Sequence, residues 1–509
     1  MEYTIPVQTK VVIIGAGFGG LGMGAALKRA GEHEFMILEK GSTVGGVWRD
    51  NTYPGCTCDV PSHLYSFSFA PYKGRKKRFP PQKEILNYLK EAADDEGLLP
   101  HLHLHTEVAK ARFREDKSDW EIITATNDHI HAEIVIFAVG QLHKPNYPNV
   151  PGLDTFHGPI LHPAEWDNRI NFHQKHISII GTGSSAVQML PSLASVASSV
   201  TVYQRNPHWV LPKLSPDFGR IGRTLLRAPG AHRIYRKSLH YGADILLSPI
   251  PRSKLWRSVV ETYARHSLRR QVVDTDLSQK LVPTYPLGTK RILFDNGFYP
   301  ALTRPNVQLI TEPMRLISER GIETNAGLQP TDVIICATGF RASEFIVPIN
   351  VQGRNGRTLN DDWRSGAEAF MGLAIHGYPS LFMIAGPNSF NPAGSNPEMK
   401  EVQIEYIIRC MRWKKECGAS AIEVNQKATM EYQEWLERKM AKTVWQDLVD
   451  SWYKHRTGKI TNPWPESLRA FKHMLRPHPS RSFNRLESHG QSSRESTSSE
   501  FDMWFALEK

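Results

Sequence analysis

The feature that most constrains the fold is a strand, glycine turn, helix and second strand that follow one another twice in the chain. The first unit begins with an apolar run at residues 10–14, and its second apolar run, at residues 35–38, ends at Glu39. Its turn has the pattern G-x-G-x-x-G and contains Gly15, Gly17 and Gly20. Short apolar runs joined in this way are typical of buried parallel strands.

The second unit repeats the first. An apolar run at residues 176–180 leads into the turn, and the next run ends at Arg205. From Gly15 to Glu39, and from Gly181 to Arg205, the separation is 24 positions. The turn and the start of its helix contain Gly181, Thr182, Gly183, Ser184, Ser185 and Ala186. The sequence therefore predicts an α/β fold with two Rossmann-like dinucleotide-binding domains.

Each glycine of such a turn has a separate role: the first makes the tight turn, the second lets a pyrophosphate approach, and the third lets helix and strand pack. The phosphates bind at the positive N-terminus of the helix. An acid after the second strand accepts hydrogen bonds from a ribose hydroxyl, whereas a cation there pairs with a 2′-phosphate. Glu39 and Arg205 therefore predict FAD at the first unit and NADPH at the second. A solvated surface charge is the open alternative for Arg205.

Composition excludes several classes of protein. Lys and Arg number 62 and Asp and Glu 51, a net charge of +11 that suits nucleic acid, membranes or phosphorylated ligands, but no nucleic-acid-binding module is recognisable. Five cysteines fit reduced thiols in a reducing, cytoplasmic compartment. No apolar run reaches about 18 residues, so no transmembrane segment is expected. The alternating His101, His103 and His105 lack Cys or acidic partners, so no metal is expected.

The order of segments predicts a divided FAD-binding domain. Residues 1–148 and 330–476 form its two parts, and residues 149–329 form the NADP-binding domain with a helical insert at about 217–279. Residues 477–509 are rich in Ser, Arg, Glu and His and are expected to be disordered, because they bury too little apolar surface.

Two longer motifs resemble those of type I Baeyer–Villiger monooxygenases, which are related to flavin-containing monooxygenases. The first motif runs from Gly45 to Asp59 and includes Gly46, Val47, Trp48 and Tyr53. The second resembles the family fingerprint F-x-G-x-x-x-H-x-x-x-W-[PD] and contains Phe156, Gly158, His162 and Trp166. A third segment, at residues 289–291, is similar to the one that carries the family's active-site arginine. The chain departs from the family pattern at Pro163-Ala164 and at the turn Ala138-Val-Gly140.

The resemblance implies an enzyme that uses FAD, NADPH and O2 to insert oxygen beside a ketone carbonyl, giving an ester or lactone through a flavin peroxide. It implies that Arg291 is the catalytic cation, that Asp59 positions it, and that Lys290 assists Arg205. Residues expected to bind FAD also include Lys40, Gly46, Val47, Trp48, Tyr53 and Tyr65. The four fingerprint residues are expected to couple the two domains. Each of these assignments has an alternative. His162 could be a linker histidine whose hydrogen bonds are satisfied, and Trp48 and Tyr53 could be core aromatics. Lys290 and Arg291 could be a basic pair on the surface.

Other functions remain open. A flavin N- or S-monooxygenase would need no arginine to stabilise a peroxide anion. A pyridine nucleotide-disulfide reductase needs a redox cysteine pair, and Cys56 and Cys58 are too closely spaced for the usual motifs. A non-enzymatic flavoprotein is more remote. A role in secondary metabolism fits the breadth of the family. Self-association and the identity of the small-molecule ketone are not specified by the sequence.

Overall fold

A computed structural model describes residues 6–72, 77–213, 217–228, 230–446 and 451–487, with the side chain of residue 227 left out. The strands are β1 Gln8–Ile14, β2 Phe35–Leu38, β3 Leu102–His103, β4 Val108–Arg114, β5 Asp119–Thr124, β6 His129–Phe137, β7 Ile160–Leu161, β8 His176–Ile180, β9 Ser199–Tyr203, β10 Val210–Leu211, β11 Leu293–Phe294, β12 Val307–Ile310, β13 Leu316–Ser318, β14 Gly321–Thr324, β15 Gly327–Pro330, β16 Val333–Cys336, β17 Asn350–Gln352, β18 Leu381–Met383, β19 Ala421–Val424 and β20 Phe483–Leu486.

The helices alternate with the strands in the two nucleotide units and cluster in the middle and C-terminal parts of the chain. They are α1 Phe18–Arg29, α2 Val47–Asp50, α3 Gln82–Asp95, α4 Ser184–Leu193, α5 Arg220–Arg227, α6 Ala231–Leu246, α7 Lys254–Gln271, α8 Thr275–Lys280, α9 Phe298–Leu302, α10 Leu359–Asp362, α11 Asn396–Glu416, α12 Gln426–Met440 and α13 Leu468–Met474.

The first sheet is built around β1. Its strand order is β17-β4-β5-β6-β1-β2-β3, and β18 also pairs with β6. Strand β1 is parallel to both neighbours, with Val11 opposite Phe35 on β2 and Ile134 on β6. Val11, Val12 and Ile13 have no exposed surface, because both faces of the sheet are covered. Burial on both faces explains why the run is apolar throughout rather than alternating.

The second sheet confirms the predicted repeat. Its order is β12-β9-β8-β16-β7, and every pair in it is parallel. Strands β8 and β9 take the places that β1 and β2 hold in the first sheet, and each pair is joined by the glycine turn and helix. The predicted α/β class with two dinucleotide-binding units is therefore confirmed.

The chain returns to the first sheet after the second one is complete. Strand β17 pairs with β4, and β18 pairs with β6. Helix α11 packs against α1 so closely that a Cβ added at Gly22 would lie 3.0 Å from Ile404 Cδ1. This path is the one that a divided first domain requires, and the exact boundaries at residues 148, 329 and 476 stay predictions.

The predicted helical insert is present between β10 and β11. Helices α5 to α8 occupy this part of the chain. A small core that includes Trp209, Leu211, Ile250 and Leu287 ties the insert to the neighbouring strands. No helix within the described residues is long and apolar enough to cross a membrane.

The predicted disorder from residue 477 onward is wrong for residues 477–487. Strand β20 pairs antiparallel with β19, with Phe483 opposite Val424. Phe483 and Leu486 are 3% and 7% exposed. The polar composition of the surrounding segment hid a short strand that is stabilised by its pairing with β19. Residues 488–509, where the rest of the predicted tail falls, lie outside the described residues.

Candidate active site

Both glycine turns open onto one cavity of about 1570 Å³. It lies at the carboxyl ends of the strands that precede the turns, where ligands bind in open α/β sheets. The predicted site residues that line it are Gly15, Gly17, Glu39, Lys40, Gly46, Val47, Trp48, Tyr53, Asp59, Tyr65, Gly181, Thr182, Gly183, Ser184, Ser185, Arg205, Lys290 and Arg291. Gly20 and Ala186 are outside this lining and have packing roles.

The first turn has the shape that a pyrophosphate requires. Gly15 has φ +103°, and a Cβ on it would lie 2.7 Å from the Ala138 carbonyl oxygen. A Cβ on Gly20 would lie 1.8 Å from the Gly15 carbonyl oxygen, so only glycine lets α1 approach the turn. Helix α1 begins after Gly17 without a side-chain cap. Its first amide groups are therefore available to an anion.

Glu39 is fixed at the end of β2. It is 4% exposed. Its Oε2 accepts a hydrogen bond from the Ala16 amide at 2.8 Å, and its Oε1 accepts from the Gly41 amide at 2.8 Å and from Arg49 Nη1 at 2.6 Å. A carboxylate has about four acceptor positions, so Glu39 keeps capacity for a ribose hydroxyl.

Arg49 was not predicted from the sequence. Burial opposes its charge, but Asp50 and Glu39 more than compensate and raise the pKa of the Arg49 guanidinium. Its ion pair with Glu39 joins two segments that have no common motif. The position of Arg49 next to Trp48 in the longer motif was the only available signal.

The second turn combines one crowded glycine, Gly181, with one that has open space around it, Gly183. Gly181 has φ +109°, and a Cβ on it would lie 2.5 Å from the Ala337 carbonyl oxygen. A Cβ on Gly183 would meet nothing within 4 Å. Helix α4 also begins without a side-chain cap. This arrangement leaves room and amide donors for a second pyrophosphate.

Arg205 and Lys290 both line the cavity beside the second turn. Burial, with a smaller contribution from the charges of Lys290 and Arg205, lowers the pKa of His208 to about 3. Both cations therefore act on one imidazole, whose Nδ1 lies 3.3 Å from Thr182 Oγ1. The sequence contains no signal for His208, because an isolated histidine belongs to no recognisable pattern. The predicted proximity of Arg205 and Lys290 is consistent with a site for a phosphate.

Arg291 and Asp59 form an ion pair in the same cavity. Arg291 Nη2 lies 2.7 Å and 2.9 Å from the two Asp59 carboxylate oxygens, and Nε lies 3.2 Å from Oδ2. Burial disfavours the charge of Arg291, but the Asp59 carboxylate outweighs it and raises the pKa of the guanidinium. The Phe390 ring lies 5.6 Å from Arg291 Cζ. The cavity thus contains a permanent, oriented positive charge.

The aromatic residues of the first long motif have separate partners. Trp48 Nε1 donates to the Tyr65 hydroxyl at 3.2 Å. The Tyr53 hydroxyl donates to Gln188 Oε1 at 2.9 Å. Trp48 and Tyr53 are buried core residues that also line the cavity. Their packing against FAD stays a prediction.

Gln188, which was not predicted, joins the two units through hydrogen bonds. It lies on α4, and its amide nitrogen donates to the Thr57 carbonyl oxygen at 3.0 Å. Its side-chain oxygen also accepts from the Thr57 amide at 3.3 Å, in addition to Tyr53. A Cβ on Gly55 would lie 2.2 Å from the Gln188 carbonyl oxygen. The segment that carries the long motif is thereby seated on the second unit.

The fingerprint residues have separate environments: Trp166 contacts the first unit, whereas Phe156 packs in a core of the second sheet. His162 has no exposed surface, its Nε2 donates to the Gly339 carbonyl oxygen at 2.9 Å, and its Nδ1 accepts from the Ala164 amide at 3.2 Å. Both ring nitrogens of His162 thus have partners, and its role in coupling the domains stays a prediction. Trp166 stands edge-on to Tyr53 with ring centres 6.4 Å apart. Phe156 is buried, and Gly158 has no room for a Cβ beside the Asp332 carbonyl oxygen.

The two cysteines near the site are unsuited to dithiol chemistry. Both are free and buried. Burial raises the pKa of the Cys56 thiol to about 11 and raises that of Cys58 further. A thiol must ionise to act as a nucleophile, so neither is activated.

Comparisons with known proteins agree with this geometry. A family model described as pyridine nucleotide-disulphide oxidoreductase matches residues 12–219. The chain is 35% identical over 478 residues to a Baeyer-Villiger monooxygenase of Streptomyces coelicolor, covering 92% of this chain and 91% of the relative. It is 36% identical to the FAD-binding monooxygenase ktnD of Aspergillus niger, covering 91% and 79%.

A solved structure extends the similarity to the whole fold. The structure of an oxidised steroid monooxygenase bound to NADP superimposes with a TM-score of 0.85 at 26% identity, covering 94% of this chain and 100% of that chain. The relatives named Baeyer-Villiger monooxygenase match 92% of this chain at 35% and 36% identity. The chain therefore belongs to the family of Baeyer–Villiger monooxygenases.

Proposed function

We propose that the protein uses FAD, NADPH and O2 to insert one oxygen atom beside the carbonyl of a small-molecule ketone, giving an ester or lactone. The observation that carries this proposal is the ion pair between Arg291 and Asp59 in the cavity onto which both dinucleotide turns open. The relatives with the Baeyer-Villiger name support the reaction class.

FAD fits the first unit. The uncapped start of α1 would hold its pyrophosphate, and the fixed carboxylate of Glu39 would accept from its ribose. Lys40, Gly46, Val47, Trp48 and Tyr65 line the remainder of this part of the cavity. When bound and reduced by NADPH, FAD supplies the activation of O2 that the reaction needs.

NADPH fits the second unit. Gly183 gives its pyrophosphate access to the start of α4. Arg205 and Lys290, which act together on His208, would pair with the 2′-phosphate. Because the pKa of His208 is lowered to about 3, its ring is neutral near pH 7 and does not add a third cation. Selection of NADPH over NADH would come from the two side chains that stay charged.

Arg291 has the chemistry of an electrostatic catalyst. Its raised pKa keeps it cationic, so it stabilises negative charge on oxygen without donating a proton to it. Asp59 holds the guanidinium in one orientation through both carboxylate oxygens. The same cation would stabilise the charge that develops on the carbonyl oxygen when its carbon is attacked. Asp59 is a positioning residue in this scheme, and Arg291 is the catalytic one.

Trp166 and Gln188 connect the two units through Tyr53, and His162 holds the turn that follows β16. His162 is bonded to Gly339, whereas Trp166 and Gln188 both contact Tyr53. We propose that these contacts preserve the geometry in which nicotinamide and flavin meet in one cavity. None of the three carries a charge that the reaction would need.

The test is NADPH oxidation by the FAD-loaded enzyme under isotopically labelled O2, with a panel of ketones, amines and sulfides. We expect labelled esters or lactones from ketones, at a rate that accounts for the NADPH consumed. Labelled N-oxides or sulfoxides, with no ester from any ketone, would instead establish a heteroatom monooxygenase. A disulfide substrate reduced without O2 would establish a reductase, which the raised thiol pKa of Cys56 argues against.

A further inference from the structure

Helix α6 has its polarity reversed relative to an ordinary surface helix. Ile234, Tyr241 and Ile245 are 72%, 58% and 68% exposed. The first two lie about two turns apart and the last two about one turn apart, so the three share one side of the helix. None of the 16 residues of α6, all of which are described, is fully buried. Its apolar side therefore points away from the protein.

The opposite side of α6 is polar and attaches the helix to the first unit. Arg236 Nη1 donates to the Ser66 carbonyl oxygen at 2.7 Å, and Arg236 Nε lies 3.2 Å from Glu398 Oε1. His240 Nδ1 lies 3.2 Å from Glu398 Oε2. These contacts fix the rotation of α6 about its axis. The exposure of Ile234, Tyr241 and Ile245 is thus a consequence of how the helix is held.

The neighbouring helices add to the exposed apolar surface. On α5, Ile221 and Leu225 are 79% and 63% exposed. On α7, Leu255 and Val259 are 81% and 53% exposed. Each pair is one turn apart on its helix. Trp256 Nε1 donates to the Leu246 carbonyl oxygen at 2.8 Å, which joins the start of α7 to the end of α6.

Positive charge accompanies this apolar surface. Residues 217–271 contain 12 Lys and Arg and three Asp and Glu, an excess of 9 out of the net charge of +11 for the whole chain. On α6, Arg233 and Lys237 are exposed and adjoin the apolar side. Exposed apolar side chains flanked by Lys and Arg are the features of a helix that lies in a membrane interface. Two copies of this surface would repel each other, which disfavours a dimer through it.

We propose that the outer face of α6, defined by Arg233, Ile234, Lys237, Tyr241 and Ile245, docks the protein on the surface of an anionic phospholipid bilayer. The apolar residues enter the boundary between headgroups and acyl chains, and the basic residues pair with lipid phosphates. Nothing in this attachment requires a spanning helix.

The test is co-sedimentation of the full-length holoenzyme with vesicles of phosphatidylcholine alone and of phosphatidylcholine with phosphatidylglycerol in equal parts. The apolar variant combines Ile234→Gln, Tyr241→Gln and Ile245→Gln, and the charge variant combines Arg233→Gln and Lys237→Gln. The matched control is Met430→Gln, since Met430 is 56% exposed on α12, away from the insert. Flavin absorbance and NADPH oxidation of each variant check that it is folded.

We expect the parent and the control to bind the mixed vesicles more tightly than the neutral ones, and to lose binding as salt is added. The apolar variant should bind at least about a hundredfold more weakly. The charge variant, which loses two basic residues, should bind the mixed vesicles roughly thirtyfold more weakly and the neutral vesicles as the parent does.

Equal binding by parent and apolar variant, or no binding by the parent, would overturn the proposal. A parent that is dimeric and an apolar variant that is monomeric, with neither on vesicles, would assign the face to a second copy instead. Binding only after residues 488–509 are deleted would show that the chain's own C-terminal segment occupies it.

Discussion

Arg291 and Asp59 are 232 residues apart in the chain, yet one guanidinium nitrogen of Arg291 contacts both Asp59 carboxylate oxygens, at 2.7 Å and 2.9 Å. Asp59 belongs to the motif that follows the first unit, and Arg291 precedes β11 beyond the helical insert. The pair therefore forms only when both units and the insert are assembled. It gives the cavity a buried, oriented cation that dinucleotide binding alone does not need.

Removing the cation should abolish oxygen insertion more than reduction of the flavin. We expect Arg291→Ala to lower ester formation by about 10²–10³-fold, because a preorganised positive charge is lost from the site of reaction. Asp59→Asn should give a smaller loss, since it leaves the cation in place but less well oriented. Product analysis with ketone substrates, and the absorbance of the flavin after mixing with NADPH without O2, separate the two effects.

Lys213 provides the control for this prediction. It donates to Thr57 Oγ1 at 3.2 Å, close to the same motif, but is not among the residues that line the cavity. Lys213→Met should therefore retain ester formation. If Arg291→Ala makes ester at the parental rate, the assignment of the catalytic cation is wrong.

Selection between the two nicotinamide cofactors should depend on Arg205 and Lys290. Each single change to alanine should raise the KM for NADPH by about tenfold, the effect of losing one hydrogen bond to a charged group. The KM for NADH, which has no 2′-phosphate, should change little. Steady-state oxidation of both cofactors by the same preparations measures this, and equal effects on the two would refute a 2′-phosphate site.

Two glycines in equivalent-looking turns should respond differently to alanine. Gly183 has extended backbone and open space around the position of a Cβ, so Gly183→Ala should fold and keep FAD but bind NADP+ more weakly. In Gly20→Ala the new Cβ would lie 1.8 Å from the Gly15 carbonyl oxygen, so the protein should lose stability and FAD together. Thermal unfolding and calorimetric titration with NADP+ distinguish the outcomes. Loss of FAD by Gly183→Ala would contradict this division of roles.

The stability of the protein without FAD should depend on Lys400, which lies on α11 and lines the cavity. Burial lowers its pKa from 10.5 to about 8, so the unfolded chain holds this proton more tightly. Stability should therefore rise with pH between those two values, and the ionised side chain should destabilise the fold below about pH 8. Lys400→Met should be more stable than the parent at neutral pH, and the difference should disappear above pH 10.5.

Chemical unfolding across this pH range is the measurement. Lys442→Met, on the exposed surface after α12, is the control and should leave the pH dependence unchanged. A parent and a Lys400→Met variant whose stabilities differ by the same amount at every pH would rule out the lysine as the source.

Sequence reasoning succeeded where a signal is contained in neighbouring residues. The sequence predicts the turns at Gly15 and Gly181 together with their strands and helices, because the local backbone conformation requires glycine at these positions. The ion pair of Arg291 with Asp59 followed only from resemblance to a family. Neither residue has a local pattern that points to the other.

The remaining contacts arise from tertiary structure. Arg49 reaches Glu39, and Gln188 reaches Tyr53, because the fold brings together segments of unrelated pattern. Strand β20 was expected to be disordered, since a four-residue strand depends on its partner for stability. The average composition of a polar tail cannot show that an unpaired strand edge, here that of β19, is available for pairing with it.

The hydrogen bonds of Gln188 restrict how the two units can move relative to each other. One amide side chain holds the Tyr53 hydroxyl and both backbone groups of Thr57. If the two units rotate relative to each other, either these three hydrogen bonds break together or they act as the hinge of the rotation. If the units rotate about these bonds, the displacement of atoms is smallest beside Tyr53 and grows with distance from it. The nicotinamide can then be repositioned while the residues that contact the flavin keep their places.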